Sequence, residues 1–157
     1  MNPPAPAIEA VKVRKSFGTR VAISDLSLTV AAGELFALVG PDGAGKTTTM
    51  RLLTGIMDPE AGQLRILGWD PVREAEALKE HIGYMPQRFG LYDDLTVLEN
   101  LTFYADIYRV SKRERQQRIP ELLAFADLDR FQDRLAAHLS GGMRQKLGLI
   151  CTLIHHP

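Results

Sequence analysis

The sequence predicts an α/β fold in which a buried strand runs into a glycine-rich loop and then into a helix. Three observations carry that expectation. Leu35–Val39 is a short unbroken apolar run, the pattern of a strand covered on both faces of a parallel sheet. Gly40 to Thr47 follows at once and spells G-x-x-x-x-G-K-[ST]. From Thr96 onward the apolar residues recur at helical spacing. With 157 residues, 45% of them apolar and 24% charged, the chain has the length and composition of one globular domain.

In chain order, Ile8–Val13 and Leu26–Val30 alternate apolar and polar side chains and are expected to form a half-buried antiparallel pair. Ala31-Ala32-Gly33 is the turn before the apolar run. Lys46 to Leu53 reads as a helix, with Gly55 as its stop. Asp58 to Gly62 reads as a turn and Leu64 with Ile66 as another strand. Ala75–His81 is a short helix and Ile82–Met85 a short strand. Thr96 with Glu99, and Ser111 with Glu114, are spaced as capping boxes at two helix starts. Pro120 is expected to break or restart the second of these helices. Ser140-Gly141-Gly142 opens a last helix carrying Leu147, Leu149, Ile150, Leu153 and Ile154.

The formal net charge is zero, which argues against a sequence-independent nucleic-acid binder. The single cysteine, Cys151, excludes an internal disulfide and fits a reducing compartment. Neither Leu35–Val39 nor Leu147–Ile154 approaches the roughly 20 residues of a membrane span. The start, MNPPAPAIEA, lacks the basic and apolar regions of a secretory signal and reads as a short extended lead-in. Any membrane role is therefore expected from the soluble side.

The loop from Gly40 to Thr48 is the chemical centre of the chain. Its glycines accept backbone angles that other residues resist, so successive N–H groups of Gly40, Pro41 onward through Asp42, Gly43, Ala44 and Gly45 can wrap an anion, with Pro41 itself supplying none. The helix that follows turns its positive end to the same point. Lys46 adds a full charge for the β- and γ-phosphates, and the Thr47 hydroxyl suits Mg²⁺. A plain glycine turn before a helix is the alternative, and the strand–loop–helix context weighs against it.

A second set of residues narrows the class. Leu139-Ser140-Gly141-Gly142-Met143 resembles the LSGGQ signature of the ABC ATPases. Tyr84-Met85-Pro86-Gln87 looks like that family's Q-loop, and Val13 to Gly18 resembles the segment carrying its adenine-stacking aromatic. Thr47 to Arg51 and Asp94 to Asn100 look like the drug-export and antibiotic-resistance branch. The resemblance implies a P-loop NTPase of ABC type: an antiparallel β-subdomain, a partial parallel core and a helical subdomain. It implies a core over residues 1–88, a helical subdomain over 89–139, and a signature segment over 140–157. It also implies roles. Phe17 stacks on adenine, whereas its plain alternative is a core aromatic. Lys46 and Gln87 serve catalysis, and Thr47 and Gln87 serve Mg²⁺. Ser140 caps its helix and, with the Gly141 and Gly142 amides, meets ATP held by an opposing copy.

There are departures from the family pattern. Met143 stands in place of the usual glutamine, and Asp42 in place of a common asparagine, so the Asp42 carboxylate is expected to face away from the phosphates. The chain reads His155-His156-Pro157 where the family's next strand, ending in Asp-Glu, would begin. Truncation before that strand is the expectation, with apolar faces left uncovered. Leu122–Asp127 is an apolar run ending in Asp, but it reads as helix core and not as a substitute.

The function expected from the resemblance is the ATP-binding portion of a transporter ATPase, with ATP and Mg²⁺ as cofactors. Its partners would be a second nucleotide-binding domain, in a head-to-tail dimer or tandem, and a membrane permease meeting the segment from Arg88 to about Arg109. It would lie on the inner face of the cell membrane, and no nucleic acid is expected. Alternatives are a nucleotide-binding fragment that does not turn ATP over, and a soluble ABC ATPase of translation or DNA repair.

Overall fold

A computed structural model describes residues 5–87 and 89–157 of the chain. Residues 1–4 of the expected lead-in, and Arg88 at the expected domain boundary and start of the permease-facing segment, lie outside the described residues. The chain divides into two compact units, Met1–Ile82 and Gly83–Pro157.

The first unit is built on a three-stranded antiparallel sheet. Strands β1 (Ile8–Phe17) and β2 (Arg20–Val30) form a hairpin, and β3 (Ala61–Ile66) pairs on the other side of β1. The expected pairing is present: Ile8 lies opposite Val30, Ala10 opposite Leu28 and Val13 opposite Leu26. Both strands run longer than their alternation predicts. The reason is the two-residue turn Gly18-Thr19, with Gly18 at φ +59° and Phe17 opposite Arg20. Such tight turns lock register into the flanking residues whatever their polarity. Ala10, Val13, Ile23, Leu52 and Leu64 make the core beneath the sheet.

Two strand expectations fail in the structure. Leu35–Val39 forms no ladder, and Leu35 is 100% and Val39 88% exposed. Ile82–Met85 likewise forms no strand. A run of apolar residues supplies a strand's side chains but not its hydrogen-bond partner, and no described strand lies alongside either segment. The turn at Asp58–Gly62 is shorter than expected, because Ala61 and Gly62 already belong to β3.

Helix α1 (Lys46–Leu53) ends at Thr54. The Gly55 N–H donates to Leu52 O and the Ile56 N–H to Arg51 O, so Gly55 stops it as its type implies. Helix α2 (Ala75–Lys79) is the expected short one, anchored by fully buried Leu78.

The second unit is helical: α3 (Val97–Ile107), α4 (Lys112–Phe125) and α5 (Gly141–Leu153), with 3-10 turns at Asp129–Phe131 and Ala136–His138. Both capping boxes form. Thr96 accepts from the Glu99 N–H at 3.1 Å while Glu99 accepts from the Thr96 N–H at 2.8 Å, and Ser111 and Glu114 do the same. These bonds hold the Glu99 and Glu114 carboxyls below their ordinary range. Leu101, Leu147, Ile150 and Cys151 are fully buried at the centre, and burial pushes the Cys151 thiol up, so it is a packing residue. Leu122, Leu123 and Ala126 join this core, as the reading of Leu122–Asp127 as helix core requires.

Pro120 does not break its helix. It sits inside α4, with Leu122 and Leu123 buried in the turn that it begins. Burial of that turn outweighs the missing N–H and the ring's clash with the preceding turn. The penalty is still present, so Pro120→Ala is expected to stabilise the helical unit by about 1–3 kcal/mol. A urea unfolding curve followed by far-ultraviolet circular dichroism checks this; an unchanged midpoint would mean that α4 carries no such strain.

The last turn of α5 carries a feature absent from the sequence reading. Arg118 of α4 donates to Leu153 O at 2.7 Å and to Ile154 O at 3.1 Å. His155 stacks on the Tyr108 ring with centroids 3.9 Å apart.

Candidate functional site

The glycine-rich loop lies immediately before α1, with Gly45 as the helix N-cap at φ +87°. A side chain at position 45 would put its Cβ 2.6 Å from Ala22 O, so both the angle and the space require glycine. Gly43 is also left-handed, at φ +79°, and the Ala44 N–H donates to Pro41 O at 3.3 Å. The result is a tight bend that leads into the open N-terminal end of α1. No side chain caps that end. The unbonded amides of the first turn are therefore available to an anion, and the helix dipole favours one there.

Lys46 is folded back over the loop. Its Nζ donates to Gly40 O and Pro41 O, both at 2.7 Å. These carbonyls hold the ammonium group at the loop mouth, where an incoming phosphate would exchange for them. Thr47 is exposed, Thr48 half-buried, and Asp42 exposed. Thr49 is different: it is buried, and its hydroxyl donates to Gly45 O at 3.1 Å, tying the first turn of α1 to its cap. A pocket of about 280 Å³ opens beside Ala44 and Lys46, walled by Ile23, Leu38, Val39 and Thr49.

Phe17 ends β1 with its ring half exposed, so it is not a core aromatic. Lys15 Nζ stands 6.0 Å from the ring centre. An accessible ring at a strand end is what stacking on a base requires. One neighbour was not singled out in the sequence. Arg20 Nη2 stands 3.5 Å from where a Cβ on Gly43 would be, which places a second cation against the loop. Only the hairpin register, set by Gly18-Thr19, brings it there.

In the second unit, Gln87 is exposed in an irregular segment. Ser140 is the N-cap of α5, and its Oγ accepts from the Met143 N–H at 3.3 Å. A Cβ on Gly141 or Gly142 would meet nothing within 4 Å, so the first turn of α5 is unobstructed. Met143 packs against the helical core, which is where its side chain goes in place of a polar contact. A larger pocket, about 440 Å³, lies between α3 and α4 near Ile119 and Pro120; it is mainly apolar and offers no phosphate cradle. The structure thus places the Gly40–Thr48 loop, Lys46 included, in one unit, and Ser140–Gly142 at one helix end in the other.

Among the described residues, no three His, Cys, Asp or Glu side chains gather to hold an ion. The exposed Thr47 hydroxyl fits a hard cation such as Mg²⁺.

A family model described as "ABC transporter" matches residues 23–157. The chain is 52% identical over 136 residues to "Probable multidrug ABC transporter ATP-binding protein YbhF" of Escherichia coli (strain K12), covering 87% of this chain and 24% of that protein. It is 42% identical over 154 residues to "Nod factor export ATP-binding protein I" of Paraburkholderia xenovorans (strain LB400), covering 98% of this chain and 51% of that one. Among solved structures, "Structure of ATP binding subunit of ABC transporter" superposes with a TM-score of 0.85 at 32% identity, over 96% of this chain and 63% of that chain. The chain therefore spans a quarter to about half the length of these curated relatives.

Proposed function

We propose, since this chain belongs to the ABC transporter family as an ATP-binding domain, that it holds MgATP on the Gly40–Thr48 loop and forms the ATP-binding part of an exporter. The observation that carries this is the loop itself: left-handed Gly43 and Gly45, an α1 without a side-chain cap and the Lys46 ammonium group come together at one loop mouth. In this reading Phe17 stacks on the base, Lys46 meets the β- and γ-phosphates, and Thr47 with Gln87 serves Mg²⁺. Ser140, Gly141 and Gly142 face the ATP of a second copy or a tandem domain arranged head to tail. The names of the relatives support export through a permease as the work of the whole protein. Such work would be done at the inner face of the cell membrane. No helix of the described residues is long and apolar enough to cross one. The core, helical and signature segments at 1–88, 89–139 and 140–157 would divide these tasks.

Titration of the purified chain with a fluorescent ATP analogue, displaced by ATP, tests the reading; absence of saturable, displaceable binding overturns it. Ser140→Ala separates the two sites. It is expected to leave binding at the Gly40–Thr48 loop within about twofold, since Ser140 belongs to the site of the opposing ATP. Removing the α5 cap costs about 1 kcal/mol of stability. ATP-dependent pairing of copies, followed by light scattering, is expected to be lost.

A further inference from the structure

The segment before the signature turn is not a free linker. Residues 93–98 and 132–137 lie side by side as a short antiparallel clip, with Thr96 opposite Leu135. The Val97 N–H donates to Arg134 O at 3.0 Å and the Leu98 N–H to Gln132 O at 3.0 Å. From the other side, the Ala136 N–H donates to Leu95 O at 2.9 Å and the Ala137 N–H to Asp93 O at 3.1 Å. Leu139 N–H then bonds Ala136 O, and Ser140 follows directly.

Both ends of the clip are pinned by side chains. Asn100 is fully buried on α3. Its amide donates to Tyr92 O, Leu95 O and Thr96 O, and its oxygen accepts from the Tyr92 N–H, so the 92–96 turn is held from within. At the other end stands Arg144, in the first turn after the signature. Its guanidinium pairs with Asp93 at 2.6 Å and donates to Ala136 O at 2.8 Å. One side chain thereby ties α5 to both strands of the clip.

The charge arrangement has a consequence. A guanidinium near a helix N-terminus opposes the dipole there and would compete for any anion presented to that end. Asp93 draws it sideways. Lys146, two residues further, is drawn off in the same way by Asp127 at 3.0 Å and Ala126 O at 2.9 Å. The Ser140 hydroxyl caps the Met143 N–H, and a Cβ on Gly141 or Gly142 would meet nothing within 4 Å, so the first turn of α5 stays open.

We propose that Asp93 and Arg144 are a positioning pair that sets the Ser140–Gly142 turn in register with the 92–96 segment, so that movement of that segment is carried to the signature turn. The inference rests on the proposed role of Ser140–Gly142 toward ATP, and its test has an arm that does not. In the purified chain, hydrogen exchange at the Met143–Lys146 amides is expected to rise at least fivefold in Asp93→Asn and in Arg144→Gln. The α3 core amides should stay unchanged, and Asp93→Glu should restore protection. Equal exchange in the variants overturns the pair. In the natural polypeptide that carries these residues, both variants are expected to lower ATP turnover about tenfold, with ATP affinity changed less than twofold. The double variant should be no worse than the worse single one, because both remove one interaction. Additive losses, or unchanged turnover with raised exchange, overturn the positioning role. Failure of the unaltered chain to bind ATP would instead count against the proposed function, and would leave the exchange result standing as evidence for the clip.

Discussion

Replacing Lys46 with alanine is expected to weaken ATP binding by the first unit about a hundredfold, near 2.7 kcal/mol, measured by calorimetric titration of the purified chain. The estimate follows from the geometry. The ammonium group is held at the mouth of the loop by Gly40 O and Pro41 O, two neutral acceptors that a phosphate can replace. Charge-assisted bonds to phosphate are stronger than those to carbonyls, so the exchange favours the bound state. Without Lys46 the loop amides and the α1 dipole remain, which is why a residue of affinity is expected and not its complete loss. The variant should keep the fluorescence of Trp69, the single tryptophan, since Lys46 makes no contact in the core of the sheet. Saturating ATP at 100 times its Kd should stabilise the unaltered chain by about 2.7 kcal/mol and the variant far less. Equal affinity in both proteins would remove the loop from the site.

The second large effect concerns the sheet. Gly62→Ala is expected to destabilise the first unit by about 3–5 kcal/mol. Gly62 sits in β3 at φ +92°, opposite the break in β1–β3 register between Val11 and Arg14. An added Cβ would fall against the Lys12 carbonyl and 2.6 Å from Val13 Cα. These are backbone atoms of the central strand, with Val13 fully buried, so neither partner can move aside cheaply. Gly68→Ala is the comparison. Gly68 has φ +85° but an added Cβ would meet nothing within 4 Å, so only the backbone angle is penalised, by about 1 kcal/mol. Urea unfolding followed by Trp69 fluorescence reads this unit, because Trp69 pairs with Ile66 at the end of β3. Equal midpoints for the two variants would show that close approach of β3 to β1 is not what requires glycine.

The capping boxes at Thr96 and Ser111 were legible because each is a local event: the hydroxyl and the carboxylate lie three residues apart and satisfy each other. The same holds for the stop at Gly55 and for the loop, whose chemistry resides in consecutive residues. Pro120 misled because its local preference was real but smaller than the burial of Leu122 and Leu123. Leu35–Val39 misled for the complementary reason, since its side-chain pattern is that of a strand but its ladder depends on another segment.

The sequence by itself determined the glycine-rich loop before α1, the Ser140 helix start, the antiparallel hairpin and the helix caps, because each depends on residue types at short fixed offsets. Only the tertiary structure decided that Arg20 stands beside Gly43, that Arg118 closes the end of α5, and that Asp93, Asn100 and Arg144 bind the signature turn to a segment some 45 residues earlier. Those contacts join residues far apart in the chain, where spacing carries no signal and only the packed geometry selects the partner.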